Sequence, residues 1–149
     1  MDEFKLDEKD IQILDILRTD ASKTKKQIAK RLNLPLTTVH NRIRKMERAG
    51  VITGYKAAID AKRLGLDVSA YISISVQYAG WDYSQTDTAK KIRSLEGVES
   101  VAIVAGGTDI VAKVRKKNTQ ELNDFVVNRL RKIPGVNQTT TMVILSEFD

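Results

Sequence analysis

The sequence predicts an α+β protein, with a helical N-terminal module followed by a domain of βαββαβ order. Three observations carry that prediction. Residues 24–52 (TKKQIAKRLNLPLTTVHNRIRKMERAGVI) read as two short amphipathic helices joined by a tight turn. Beyond residue 67 the apolar spacing changes from helical to partly alternating, with β-branched and aromatic residues enriched. The formal charge of +6 is also unevenly placed: residues 1–20 carry −4, residues 21–59 carry +9 and residues 60–149 carry +1. So large a local excess of cations within one helical module is the electrostatic footprint expected of a polyanion partner.

Composition narrows the class. With 149 residues, 42% hydrophobic and 30% charged, the chain has room for one domain or two small ones and is not globally disordered. No apolar run approaches the roughly 20 residues that span a bilayer, so no membrane partner is expected. The acidic start (MDEFKLDEKD) does not read as a secretory signal, and the cytoplasm is the expected compartment. Zero cysteines remove disulfides, thiolate zinc sites and thiol nucleophiles together. A single histidine leaves only carboxylates for a metal site, and no cofactor is expected.

The elements follow in order. Asp7 can N-cap a first helix with Ile11, Ile13, Leu14 and Leu17 facing inward. Thr24 with Gln27 three residues later forms a capping box for the second helix, which buries Ile28, Ala29 and Leu32. Asn33 stands where the turn needs a residue tolerant of positive φ. In the third helix Leu36, Val39, Ile43 and Met46 form one buried stripe, and Gly50 ends it. The opposite face carries Thr37, Thr38, His40, Asn41, Arg44, Lys45 and Arg48, side chains able to touch phosphates and base edges. Residues 51–59 read as a short trailing strand, which closes a first domain over 1–59, and the polar stretch 60–67 reads as a linker.

In the second domain, 68–149, residues 68–78 read as a strand and 86–95 as a helix with Ala89 and Ile92 on one face. Strands over 98–105 and 110–114 flank a turn at Gly106-Gly107-Thr108-Asp109. Asn118 with Glu121 caps a helix burying Leu122, Phe125, Val126, Leu130 and Ile133, Pro134-Gly135 stops it, and 136–145 form the last strand. This order is the ferredoxin-like one.

Taken together, the chain resembles the Lrp/AsnC (feast/famine) family of transcription regulators. The first part of the resemblance lies in Leu6-Asp7, Asp10, Ile13-Leu14, Leu17, Ala29 and Leu32. The second lies in Thr38-Val39, Arg42-Ile43, Glu47, Gly50-Val51-Ile52 and Gly54-Tyr55. The third lies in Gly106, Asp109, Pro134-Gly135-Val136 and the Thr139/Thr141 alternation. The resemblance implies a winged-type helix-turn-helix that binds double-stranded DNA, a strand linker, and a RAM/ACT-like domain that dimerises through its sheet and senses amino acids or related metabolites. It further implies assembly into dimers, tetramers or octamers, with the effector between dimers. By matching positions, the effector residues would be Gly106, Gly107, Thr108 and Asp109, with Thr139 and Thr141 as neighbours.

Three departures stand against that pattern. The serine usual at the start of the recognition helix is Pro35, which removes its side-chain cap. The aromatic usual before the turn's aspartate is Thr108. Trp81 and Tyr83 belong to no family pattern and read as packing or assembly contacts. Arg42, joined to the DNA-facing set by its place in the family pattern, is expected to anchor phosphate or structure rather than read bases. Lys113, Arg115, Lys116 and Lys117 read as a solvated strand end, and Asp109 could equally be a plain turn residue.

The expected function is a sequence-specific transcription regulator with an amino-acid effector. Alternatives are an architectural DNA-compacting protein and a sirohaem or haem decarboxylase on the same scaffold. Those decarboxylases resemble this family but depend on C-terminal-domain histidines, and residues 68–149 contain none.

Overall fold

The computed structural model describes residues 5–77 and 84–147. Trp81 and Tyr83 lie outside the described residues. The chain divides into two compact units, residues 1–59 and residues 60–149.

The first unit is three helices: α1 (Glu8–Thr19), α2 (Lys25–Leu32) and α3 (Leu36–Arg48). Local sequence chemistry sets their ends. Asp7 and Asp10 form a capping box at the start of α1, and Thr24 and Gln27 form one at the start of α2. Asn33 takes the left-handed conformation (φ 50°, ψ 48°) that turns the chain from α2 towards α3. Ile13, Ile16, Ile28, Ala29, Val39, Ile43 and Met46 make the core, flanked by half-buried Leu14, Leu17, Leu32, Leu34 and Ile52. Full burial of one such large aliphatic side chain stabilises by about 1.5–3 kcal/mol.

Two expected core positions are outside. Ile11 is exposed and Ile16 is buried in its stead, because the inward line of α1 runs Asp10–Ile13–Ile16 and Asp10 takes the place nearest the helix start. Leu36 is exposed as well, so the buried stripe of α3 starts at Val39. Residues 51–59 form no strand. A strand exists only against a partner, and this segment has no ladder among the described residues. The Tyr55 hydroxyl ties it to α3 by donating to Glu47 Oε1 at 2.9 Å. Desolvation, and then that bond, push the Tyr55 phenol above its ordinary range.

The second unit opens with a 3₁₀ turn (Ala61–Leu64) inside the expected linker. It continues as β1 (Val68–Val76), α4 (Gln85–Arg93), β2 (Val98–Ile103), β3 (Ile110–Lys116), α5 (Thr119–Asp124) and β4 (Val136–Val143). The four strands lie in the order β2-β3-β1-β4 with every neighbouring pair antiparallel. This is the ferredoxin-like sheet, with β1 and β3 inside and β2 and β4 at the edges.

Ala70, Ile72, Ile74 and Val76 of β1 and Ile110, Ala112 and Val114 of β3 share the buried face. Ile92 of α4 and Leu122, Phe125, Val126 and Leu130 of the second helical run join them in one core. That run extends past α5 through a π-helical turn (Phe125–Arg129) and a 3₁₀ turn (Leu130–Lys132), both unforeseen. Among the described residues of this unit no helix packs on the other sheet face, and Tyr71 and Met142, paired across β1 and β4, are exposed on it.

Of the cations at the end of β3, Lys117 is exposed as expected, whereas Lys113, Arg115 and Lys116 are engaged rather than solvated. Lys113 and Arg115 meet Glu99 and Glu147 in a four-charge cluster. The hydrogen bond from Lys113 holds the Glu147 carboxyl below the usual carboxylate range. Lys116 folds back so that its ammonium donates to the Glu96 carbonyl at 2.6 Å and lies 4.5 Å from the centre of the Phe125 ring. Burial pushes that ammonium below the ordinary lysine range.

Gly97 makes this fold-back possible. Its φ is +82°, and a Cβ there would stand 2.6 Å from the Arg115 carbonyl oxygen and 2.7 Å from Lys116 Nζ. Gly97→Ala combines backbone strain with a backbone clash and should cost roughly 1–3 kcal/mol. Thermal unfolding checks this, with a fall of several degrees expected and a Tm equal to wild type counting against the clash.

Candidate nucleic-acid interface and effector turn

The orientation of α3 is built on an ion pair. Arg42 Nη1 lies 2.6 Å from Asp7 Oδ2 and 2.8 Å from Asp10 Oδ1, so the middle of α3 is pinned to the capped start of α1. Asp10 is buried, and its other oxygen accepts from the Asp7 N–H at 3.1 Å. The Asp10 N–H and the Arg42 guanidinium together hold the Asp7 carboxyl below its ordinary range. The two aspartates in turn push the Arg42 guanidinium upward. Arg42, expected among the DNA-facing residues, is thus turned towards α1 by two carboxylates that helix capping had already fixed there.

Of the other expected contact residues, Thr37, Asn41, Arg44, Lys45 and Arg48 are exposed. At about 100° per residue they fall on one side of α3, away from Val39, Ile43 and Met46. Thr38 and His40 are half-buried at the margins of that row. His40 Nδ1 lies 3.2 Å from Lys25 Nζ of α2. Lys25 was missed as a candidate, because only the fold brings the start of α2 beside the first turns of α3. Pro35 caps α3 with no side-chain hydrogen bond.

The effector candidates separate into two groups. Gly106 (φ +146°) and Gly107 expose backbone in the β2–β3 connection, and a Cβ on either meets nothing within 4 Å. Thr108 Oγ1 donates to the Ile74 carbonyl at 3.0 Å. Asp109 Oδ2 accepts from the Val76 N–H at 2.8 Å, while the Asp109 N–H donates to the Ile74 carbonyl at 3.2 Å. Asp109 is therefore a structural clamp on the end of β1, a role its turn chemistry allowed.

Thr139 and Thr141 pair with Ile74 and Ile72 from the opposite side of β1. Thr139 Oγ1 accepts from Arg131 Nε at 2.9 Å. Turn and threonines thus share β1 but stand on its two flanks. Two grooves among the described residues lie away from both, about 810 Å³ beside the end of α1 and residues 51–58, and about 410 Å³ around Lys116 and Phe125.

A helix-turn-helix unit followed by a ferredoxin-like domain defines a two-domain transcription regulator, and comparison with known proteins gives its family. Residues 6–53 match the family model for winged helix-turn-helix DNA-binding, and residues 69–149 match that for the Lrp/AsnC ligand binding domain. The chain belongs to the Lrp/AsnC family of transcriptional regulators, which are not enzymes.

An uncharacterized HTH-type transcriptional regulator of Pyrococcus horikoshii is 36% identical over 138 residues, covering 93% of this chain and 91% of its own. A transcriptional regulator of Neisseria meningitidis, solved in complex with L-methionine, is 25% identical with a TM-score of 0.89, covering 97% of this chain and 93% of its own. The feast or famine regulatory protein of M. tuberculosis, also complexed with L-methionine, is 30% identical with a TM-score of 0.87, covering 97% and 95%.

Arg42→Ala would leave the buried Asp10 carboxylate without its cation. Since Arg42 itself is partly exposed, the cost should be about 1–3 kcal/mol, at the low end of what breaking a buried pair costs. The folded-state pKa of Asp7 is depressed, so its stabilisation is complete above the unfolded aspartate pKa and is lost as pH falls through the lower folded value. In wild type the stabilisation that Asp7 contributes should therefore be lost, and acid unfolding favoured, only as pH falls below 3.8, the ordinary aspartate value. In Arg42→Ala the onset moves to higher pH, read by circular dichroism. An unchanged onset would refute the pairing.

Proposed function

We propose that this regulator binds operator DNA as a dimer or higher homo-oligomer in the cytoplasm. In this reading residues 1–59 are the DNA-binding domain, 60–67 the linker and 68–149 the dimerisation and effector-sensing domain. The observation that carries it is the two-sided build of α3, with Val39, Ile43 and Met46 in the core and Thr37, Asn41, Arg44, Lys45 and Arg48 exposed opposite. That row enters the major groove, with Thr38 and His40 at its margins and Arg42 holding the helix in place from behind. A two-fold dimer sets two such helices about 34 Å apart, one turn of the duplex. The helix-free sheet face with Tyr71 and Met142 is the surface through which two copies pair.

The effector in this proposal is an amino acid, with L-methionine as the first candidate because two solved relatives hold it. Its residues are Gly106, Gly107, Thr108 and Asp109 with Thr139 and Thr141, the site being completed by a second dimer. The exposed Gly106–Gly107 backbone supplies N–H donors for a carboxylate. Asp109 works mainly by holding the turn against β1. An effector then acts by preferring one assembly over another.

Gel-shift titrations against salt test the DNA reading. Arg48→Ala, losing one phosphate contact per protomer, should reduce the slope of log K against log salt by about 0.9 per half-site, or about 1.8 for a bound dimer, while keeping sequence preference. Asn41→Ala should instead relax preference at one base position with the slope retained. Wild type binding a scrambled duplex as tightly as its own promoter would defeat the specific reading.

Thermal shift tests the effector turn. L-methionine at 100 times its Kd should stabilise wild type by about 2.7 kcal/mol. Gly107→Glu places bulk and negative charge in open space, so it should abolish that gain while leaving the ligand-free Tm unchanged. A gain retained in the variant would move the site elsewhere.

A further inference from the structure

Leu36 occupies the first position of α3, yet it is 49% exposed. Its spacing ahead of Val39 and Ile43 suits the core, but another residue has taken that work. Leu34, just before the Pro35 cap, packs on the helical core, and Leu34 and Val39 hold the two positions of a hydrophobic staple across the helix start. Leu36 is therefore an apolar side chain left half exposed, outside the set that packs on the helical core.

Its place gives it another use. Cβ atoms tilt towards a helix's N-terminus, so at the first position of α3 Leu36 is carried towards the helix start. Pro35 provides no capping side chain to cover that end. Residues at the start of a recognition helix are the ones that reach base edges, and the one apolar feature of the major-groove edge is the thymine C5-methyl. Leu36 stands at the end of the helix rather than in the exposed row of Thr37, Asn41, Arg44, Lys45 and Arg48. The hydroxyl, amide and cations of that row suit phosphates and base heteroatoms, with the Thr37 methyl its one other apolar contact for a thymine.

From this we infer that Leu36 is a specificity-determining residue, reading a thymine methyl group in each operator half-site. The inference rests on the DNA-binding reading above.

The test uses the full chain and a duplex that wild type selects from a random library, with each thymine replaced in turn by deoxyuridine, which removes only the methyl. At one thymine per half-site the replacement should weaken wild type about fourfold, the affinity equivalent of one buried methyl-sized group. Leu36→Ala, at an exposed position and with a strong helix former, should keep the wild-type Tm. It should bind the parent duplex about fourfold more weakly per half-site and be indifferent to deoxyuridine at that same position.

Wild type indifferent to every replacement, a selected site without thymine, or Leu36→Ala retaining full sensitivity would each overturn the inference while leaving DNA binding intact. A wild-type protein that enriches no duplex at all would instead defeat the DNA-binding reading itself, and this inference with it.

Discussion

The pairing of Arg42 with Asp7 and Asp10 is the constraint on which the N-terminal unit depends. A three-helix module this small has a thin core, and apolar packing is non-directional: it holds helices together without fixing their rotation. Two carboxylates already immobilised by a capping box supply the missing direction. They fix the rotation of α3 about its own axis, and with it which residues face outward. The arrangement combines a helix cap with an interhelical strut in the same two side chains, so the start of α1 and the presentation of α3 are set together.

The C-terminal unit has a comparable centre in β1. Its backbone pairs with β3 on one side and β4 on the other, and its apolar residues lie under both helical runs. At its end it also accepts from Thr108 and Asp109 and donates to the Asp109 carboxylate. The connection that carries the glycines is therefore anchored at its second half and open at its first. Such a turn can present backbone to a ligand without being loose, because its following residues are hydrogen-bonded to an interior strand.

What was legible in the sequence was mostly local. Asp7, Thr24, Asn33, Gly50 and Asn118 act within a few residues of themselves, and their cap or turn roles can be read from type and spacing. The βαββαβ order was legible because each element has its own period. What escaped depended on distant partners. Ile11 lost its place to Ile16 because Asp10 turns inward to meet a guanidinium 32 residues away. Residues 51–59 alternate well enough for a strand, but alternation does not supply an edge to pair with. Lys116 reads as one more surface lysine until the space left by Gly97 and the Phe125 ring come together around it. In the candidate site the exposed row of α3 was legible, whereas the clamp role of Asp109 required the fold to bring it to Val76.

The contact between Lys25 and His40 carries one more consequence. An ammonium has only protons to offer, so across that 3.2 Å His40 Nδ1 must be the accepting nitrogen. The ring proton then resides on Nε2, and the imidazole is held in a single tautomer by a residue of the neighbouring helix. Whatever His40 meets through its other nitrogen must bring a lone pair, such as a phosphate oxygen or the purine N7. The chain's one histidine is thus given a fixed polarity by a lysine on another helix, and that lysine decides which kind of partner the ring can take.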